Sequence, residues 1–283
     1  MLRTRLWMGA ALIALTSGVL AVDQFLDPWY PFLFLLILAL ALASCYEFLQ
    51  LVGASFRLPA WLCYVSVAAV IGANWPAHLI GSSTAWTWVA GTVAAVVLSS
   101  FLVEMATFRD PGGSVTRIAL VVLVAAYLGL LPSFLVQLRW PDAELPLDAL
   151  TRRGTVALAL TIFVPKCCDI GAYFTGRLLG RHRMTPVLSP KKTWEGLAGG
   201  LALAALTAFG INRLGGGLSD LAALGFGVTA GSAGVVGDLA ESLVKRDCQK
   251  KDASQAVPGF GGVLDVVDSV LFAAPVAYCW FRV

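Results

Sequence analysis

Long apolar runs, separated by short polar breaks, dominate this chain. Roughly 20 consecutive apolar residues are needed to carry an α-helix across about 30 Å of hydrocarbon. Runs of this kind lie at 6–22, 29–51, 59–80, 86–106, 116–137, 154–175, 196–212, 219–242 and 263–282. The expected fold class is therefore all-α: a polytopic integral membrane protein with about nine transmembrane helices. The first run follows Arg3 and Arg5 and ends near Val19-Leu20-Ala21, a small-residue pattern also seen in signal peptides. With later spans in place a removable signal is unnecessary, and the run is read as a span.

Basic residues set the expected orientation, because cytoplasmic loops are enriched in Lys and Arg. With the N-terminus cytoplasmic, all 20 Lys and Arg fall on the cytoplasmic side except Arg139, Arg152, Arg153, Arg213, Arg282 and the intramembrane Lys166. The C-terminus then lies outside. Polar positions also divide the chain in two. Residues 1–153 carry few ionisable groups inside spans, Glu47 and Glu104 near cytoplasmic ends being the exceptions. This part reads as packing and lipid-facing helices. Residues 154–283 crowd charges and glycines into the spans and the loops between them, and function is expected there. The 138–153 loop, with Pro141 and Pro146, is the expected connector.

Composition agrees. Hydrophobic residues make up 58% of the chain and charged residues 13%, against about 25% charged in soluble domains. The net charge of +3 is small and dispersed, which argues against nucleic acid as a partner. The 6 cysteines form no C-x-x-C pair and read as small buried hydrophobes. His78 and His182 are the only histidines. That excludes zinc hydrolases of the H-E-x-x-H type, and neither a G-x-S-x-G elbow nor a Walker A loop is present. Gly227, Gly231 and Gly234 read as close helix packing.

A charged side chain at the bilayer centre costs about 2.5–3.5 kcal/mol on insertion scales. Lys166, Asp169, Asp238, Glu241, Asp265 and Asp268 all lie within spans or at their edges. They must face one another or a shared polar cavity. Lys166, Asp169, Tyr173 and Arg177 share one helical face, as do Asp238, Glu241, Ser242 and Lys245. Asp265 and Asp268 stand one turn apart at the start of the last span. Interhelical salt bridges could account for the Lys166–Asp169 pair alone, but the carboxylates cluster more densely than bundle glue requires. Paired carboxylates suit a hard divalent cation such as Mg²⁺, which often combines one or two of them with substrate phosphates.

Basic loops supply the complement. Residues 181–196 run from Arg181-His182-Arg183 to Ser189-Pro190-Lys191-Lys192-Thr193-Trp194-Glu195-Gly196, directly before a span. Pro190 and the Lys-Lys-Thr-Trp-Glu-Gly segment argue for a shaped phosphate-binding loop. Gly261-Gly262 allows backbone N–H groups to approach an anion. Lys245, Arg246, Lys250 and Lys251 add positive charge. Acidic groups for a metal beside basic groups for phosphates are the constitution of a nucleotidyl-transfer site.

These segments resemble a known family. Gly237-Asp238-Leu239-Ala240-Glu241-Ser242-Leu243-Val244-Lys245-Arg246, then Lys251-Asp252, then Pro258-Gly259-Phe260-Gly261-Gly262-Val263-Leu264-Asp265-Val266-Val267-Asp268-Ser269 are similar to the signature of the phosphatidate cytidylyltransferases. So are Asp169-Ile170-Gly171-Ala172-Tyr173-Phe174-Thr175-Gly176-Arg177 and the block Ser189 to Gly196. The resemblance covers roughly residues 166–269. It departs at Phe260, where the family usually has His, and at Val266, where it usually has Arg.

The resemblance implies transfer of a cytidylyl group from CTP to phosphatidate, giving CDP-diacylglycerol and pyrophosphate for phospholipid biosynthesis. It implies catalytic roles for Ser242, Lys245, Arg246, Asp252 and Asp265. Metal ligation falls to Asp238, Asp265 and Asp268, with Mg²⁺ as the ion and a monovalent cation as a further candidate. Substrate binding falls to Lys166, Asp169, Tyr173, Arg177, Ser189, Lys191, Lys192, Glu195, Gly261 and Gly262. The expected partners are CTP, phosphatidate and membrane lipid, with a homodimer also compatible. The expected location is the inner (plasma) membrane, multi-pass, with the active site facing the cytoplasm. A secondary transporter or channel and a CTP-dependent membrane lipid kinase are the competing readings. A proline-broken helix at Pro165 would suit a transporter. One-sided clustering of charge and the lack of repeat symmetry favour chemistry at an interface.

Overall fold

A computed structural model describes residues 2–27, 29–80, 84–140, 147–215, 217–250, 253–254, 256–259 and 261–282. Helices come in chain order as α1 (Leu2–Asp23), α2 (Pro31–Phe56), α3 (Ala60–Gly72), α4 (Pro76–Ile80), α5 (Ala85–Thr107), α6 (Ser114–Ala125) and α7 (Leu131–Gln137). They continue as α8 (Leu147–Leu179), α9 (Trp194–Asn212), α10 (Asp220–Asp247) and α11 (Val263–Arg282). Between α8 and α9 lie two short strands, β1 (Arg183–Thr185) and β2 (Ser189–Thr193).

Among the described residues, 8 helical stretches are long and apolar enough to cross a membrane. The apolar part of α1, Trp7–Asp23, is shorter than the rest. The chain is a nearly all-α, multi-pass membrane protein.

The chain forms two compact units. One comprises Met1–Val136 with Asp252–Leu264, and the other Gln137–Lys251 with Asp265–Val283.

Two expected spans of the first unit are irregular. The 59–80 run is divided between α3 and α4, since Pro76 has no N–H to continue a helical ladder. Asn74 covers the break: its amide donates to Val70 O, Ile71 O and Ser133 Oγ. The 116–137 run passes through a π-helical segment, Ala126–Leu130, just before Pro132. A wider turn relieves the clash of a proline ring with the preceding turn. Asp23, buried at the end of α1, accepts from Phe32 N and Leu33 N and so holds the first turn of α2.

In the second unit α8, α9 and α10 pack on one another through small residues. An added Cβ at Gly227 would lie 2.4 Å from Ala205 Cα, and one at Gly200 would lie 2.7 Å from Cys168 O. The packing role expected of Gly227, Gly231 and Gly234 holds at each position. Contrary to expectation, Pro165 does not break its helix, and α8 runs through it. An added Cβ at Gly234 would lie 2.6 Å from Pro165 Cβ, so the ring serves as a packing surface. Neighbouring helices make such a proline tolerable in a membrane. The basic loop is ordered as an antiparallel hairpin, with Arg183 opposite Thr193 and Thr185 opposite Ser189.

Candidate active site

Three helices and the hairpin of the second unit bring charged groups together. The approach of α10 to α11 depends on Gly237, where an added Cβ would lie 2.4 Å from the carbonyl oxygen of Asp268. That absence of a side chain lets Asp238, on α10, stand beside Asp268, on α11. Ligand oxygens of Asp238, Glu241 and Asp268 all lie within 4.8 Å of one another. Glu241 and Asp268 are buried, and Asp238 is partly open.

Three lysines sit on these acids. From α8, Lys166 Nζ lies 3.3 Å from Asp268 Oδ1 and 3.7 Å from Asp169 Oδ2. From β2, Lys192 Nζ lies 2.7 Å from Asp238 Oδ2 and donates to Val235 O at 3.4 Å. From α10 itself, Lys245 Nζ lies 2.6 Å from Glu241 Oε2 and 2.5 Å from Asp265 Oδ1. The stripes expected on α8, α10 and α11 therefore converge. Glu241 Oε1 is buried with no hydrogen-bond partner. A carboxylate oxygen in that position is costly unless a cation or donor reaches it.

Of the expected metal ligands, Asp238 and Asp268 belong to the close group, whereas Asp265 is joined to it through Lys245. Glu241 takes the third place. It lies on the face of Asp238, one turn along, and that spacing is its signal in the sequence. Ser242 is buried next to it on α10.

The remaining expected site residues are placed as follows. Tyr173 and Arg177 are exposed on α8, where Arg177 donates to the Tyr173 hydroxyl at 3.2 Å. Lys191 is exposed on β2 and Ser189 half-buried. Arg246 donates to Lys250 O at 3.2 Å and lies 3.5 Å from Leu188 O in the hairpin turn. Glu195 ties the hairpin's base to α9: it accepts from Arg181 N and His182 N and lies 2.6 Å from His182 Nδ1. Thr193 caps α9 by accepting from Gly196 N. Gly261 N donates to Val257 O, and Gly262 lies against Glu47, a residue with no role in the sequence reading. Asp252 and Phe260 lie outside the described residues.

Across residues 3–283 the chain matches the model of the cytidylyltransferase family. It is 39% identical over 136 residues to the phosphatidate cytidylyltransferase of Haemophilus influenzae, which covers 46% of this chain and 47% of that protein. With the phosphatidate cytidylyltransferase of Synechocystis it shares 32% identity over 255 residues, 82% of each chain. The phosphatidate cytidylyltransferase of Mycobacterium bovis is 29% identical over 234 residues, covering 80% of this chain and 72% of that protein. In the first of these alignments the chain spans about half the length of its relative.

Proposed function

We propose that this chain, which belongs to the cytidylyltransferase family, transfers the cytidylyl group of CTP to phosphatidate at the cytoplasmic face of an inner (plasma) membrane. The reading rests on one observation, the acid–lysine cluster of α8, α10, α11 and β2. Asp169, Asp238, Glu241, Asp265 and Asp268 oppose Lys166, Lys192 and Lys245, and the difference leaves two formal negative charges. That excess is the complement of one divalent cation, and the unpartnered Glu241 Oε1 fits an ion too. Asp238, Glu241 and Asp268 would hold Mg²⁺, with Asp265 beside them through Lys245. Such an ion supplies charge screening for phosphate oxygens.

In the transfer, a phosphate oxygen of phosphatidate bonds to the α-phosphorus of CTP. The bond from that phosphorus to the β-phosphate oxygen breaks, and pyrophosphate leaves. The nucleophile is already anionic near neutral pH, so the protein's contribution is positioning and charge stabilisation rather than a strong base. Lys192 and Lys245 hold positive charge at the cluster, where it can stabilise the departing pyrophosphate. Lys191 and Arg246, both more exposed, suit the outer phosphates. Lys166 and Asp169 on α8 are suited to orienting the lipid acceptor. The positive-inside bias supports a cytoplasmic setting for this face, where CTP would reach it from water and phosphatidate through the leaflet.

The test is direct. Detergent-purified protein, phosphatidate, Mg²⁺ and CTP labelled at the α-phosphate should yield labelled CDP-diacylglycerol and one pyrophosphate per product. No product from folded protein would overturn the reading.

A further inference from the structure

Strand β2 runs into α9 with no loop between them, because Thr193 ends one element and caps the next. Its backbone is still extended, at φ −125° and ψ 155°, while its hydroxyl accepts from Gly196 N at 3.1 Å. That bond satisfies one of the N–H groups that the first turn of a helix leaves open. The same side chain fills a socket of three glycines. An added Cβ would lie 2.8 Å from Thr193 Oγ1 at Gly180, 3.0 Å at Gly196 and 3.1 Å at Gly176. The threonine methyl is enclosed too, with Cγ2 2.9 Å from an added Cβ at Gly180. Gly176 lies in the last turn of α8 and Gly180 just beyond it, so Thr193 joins β2 to both α8 and α9.

Glu195 fastens the chain that leads into the other strand. Its Oε2 accepts from Arg181 N at 3.1 Å and from His182 N at 3.2 Å, and Oε1 lies 2.6 Å from His182 Nδ1. Trp194 N donates to His182 O at 3.0 Å. The base of the hairpin is therefore anchored on both sides by the start of α9. Lys192 stands immediately before these anchors. Side chains alternate along an extended chain, so seating Thr193 against α8 and α9 turns Lys192 the opposite way, towards α10. There its Nζ lies 2.7 Å from Asp238 Oδ2 and 3.4 Å from Val235 O.

We propose that Thr193, with Glu195 as its second anchor, is a positioning residue for the reaction: it seats the hairpin in the glycine socket and thereby sets Lys192 on Asp238. Lysine carries its charge on a flexible four-carbon stem, so the charge stays at one point only if the backbone beneath it is fixed. The recurrence of glycine at 176, 180 and 196 then has one cause, the room that a single threonine side chain needs. Glu195, expected from the sequence to bind substrate, acquires a different task, since both of its oxygens are engaged at Arg181 and His182.

The proposal rests on the cytidylyl-transfer reading for its rate readout but not for its structural one. Hydrogen–deuterium exchange of the 181–194 segment, in the detergent-purified full chain without substrate, reports on the hairpin alone. T193V keeps the shape of the side chain and removes its hydroxyl. Exchange in that segment should become about tenfold faster and kcat about tenfold lower, the scale of a lost helix cap. T193S, which keeps the hydroxyl, should stay close to wild type in both. K192M supplies the decisive background: if Thr193 acts through Lys192, T193V/K192M turns over no more slowly than K192M. Wild-type exchange or wild-type kcat in T193V would overturn the proposal, as would an equal further loss of kcat beside K192M. Should T193V fail to fold, E195Q decides on the same readouts. Faster exchange with a kcat loss that vanishes beside K192M supports the role, and wild-type exchange or an additive loss rejects it. A wild-type protein that makes no product, with T193V still loosening the hairpin, would count against the reaction alone.

Discussion

Lys192 Nζ lies 2.7 Å from Asp238 Oδ2, an ion pair that joins a β-hairpin to a membrane-spanning helix. The same acid contributes a ligand oxygen to the close carboxylate group. One contact thus fixes the basic hairpin over the acidic cluster. Replacing Lys192 by Met should leave the fold intact and lower cytidylyl transfer at least tenfold, or about 1.4 kcal/mol in the barrier. Steady-state kinetics with circular dichroism on the same sample checks both halves.

Lys245 occupies positive space that a metal ion would also claim, between Glu241 and Asp265. Lys245→Ala should therefore bind Mn²⁺ more tightly than wild type. It should also lose turnover, by about 100-fold, the scale seen when a single electrostatic stabiliser of a transition state is removed. Titration followed by electron paramagnetic resonance, paired with the transfer assay, separates the two effects.

Close approach of α10 and α11 depends on Gly237. Gly237→Ala places a methyl group 2.4 Å from Asp268 O, and overpacking of this kind costs about 1–3 kcal/mol. Both melting temperature and activity should fall. Gly210→Ala is the control, because nothing lies within 4 Å of an added Cβ there; activity should not move, and the melting temperature should hold or rise slightly with the better helix former.

In the first unit, Asn74 joins the break between α3 and α4 to Ser133 at 2.9 Å. Asn74→Ala should lower stability by about 0.5–1.5 kcal/mol without altering KM for CTP or phosphatidate. Thermal unfolding and kinetics on the same preparation would show it.

What could be read from the sequence follows the physics of each feature. Membrane-spanning helices are legible because lipid demands long apolar runs, and charged stripes are legible because their cost demands partners. Lys166, Asp169, Asp238, Lys245, Asp265 and Asp268 were all visible in this way, and they converge. The hairpin at 183–193 was not, since its short basic strands lack apolar alternation. The π-helical turn before Pro132 and the continuity of α8 through Pro165 depend on packing rather than on local pattern. Glu47 was seen as an isolated acid in α2. Its partners lie 207 to 217 residues later, beyond the reach of helical spacing.

The most direct test of the central claim is the Mg²⁺ dependence of CDP-diacylglycerol formation in wild type and in Asp268→Asn. Asp268 faces both Lys166 and the close carboxylate group. If the cluster is where the metal is held and the chemistry occurs, wild type forms product only with Mg²⁺, and Asp268→Asn forms almost none at any concentration. Equal Mg²⁺-dependent product from both proteins would contradict the account.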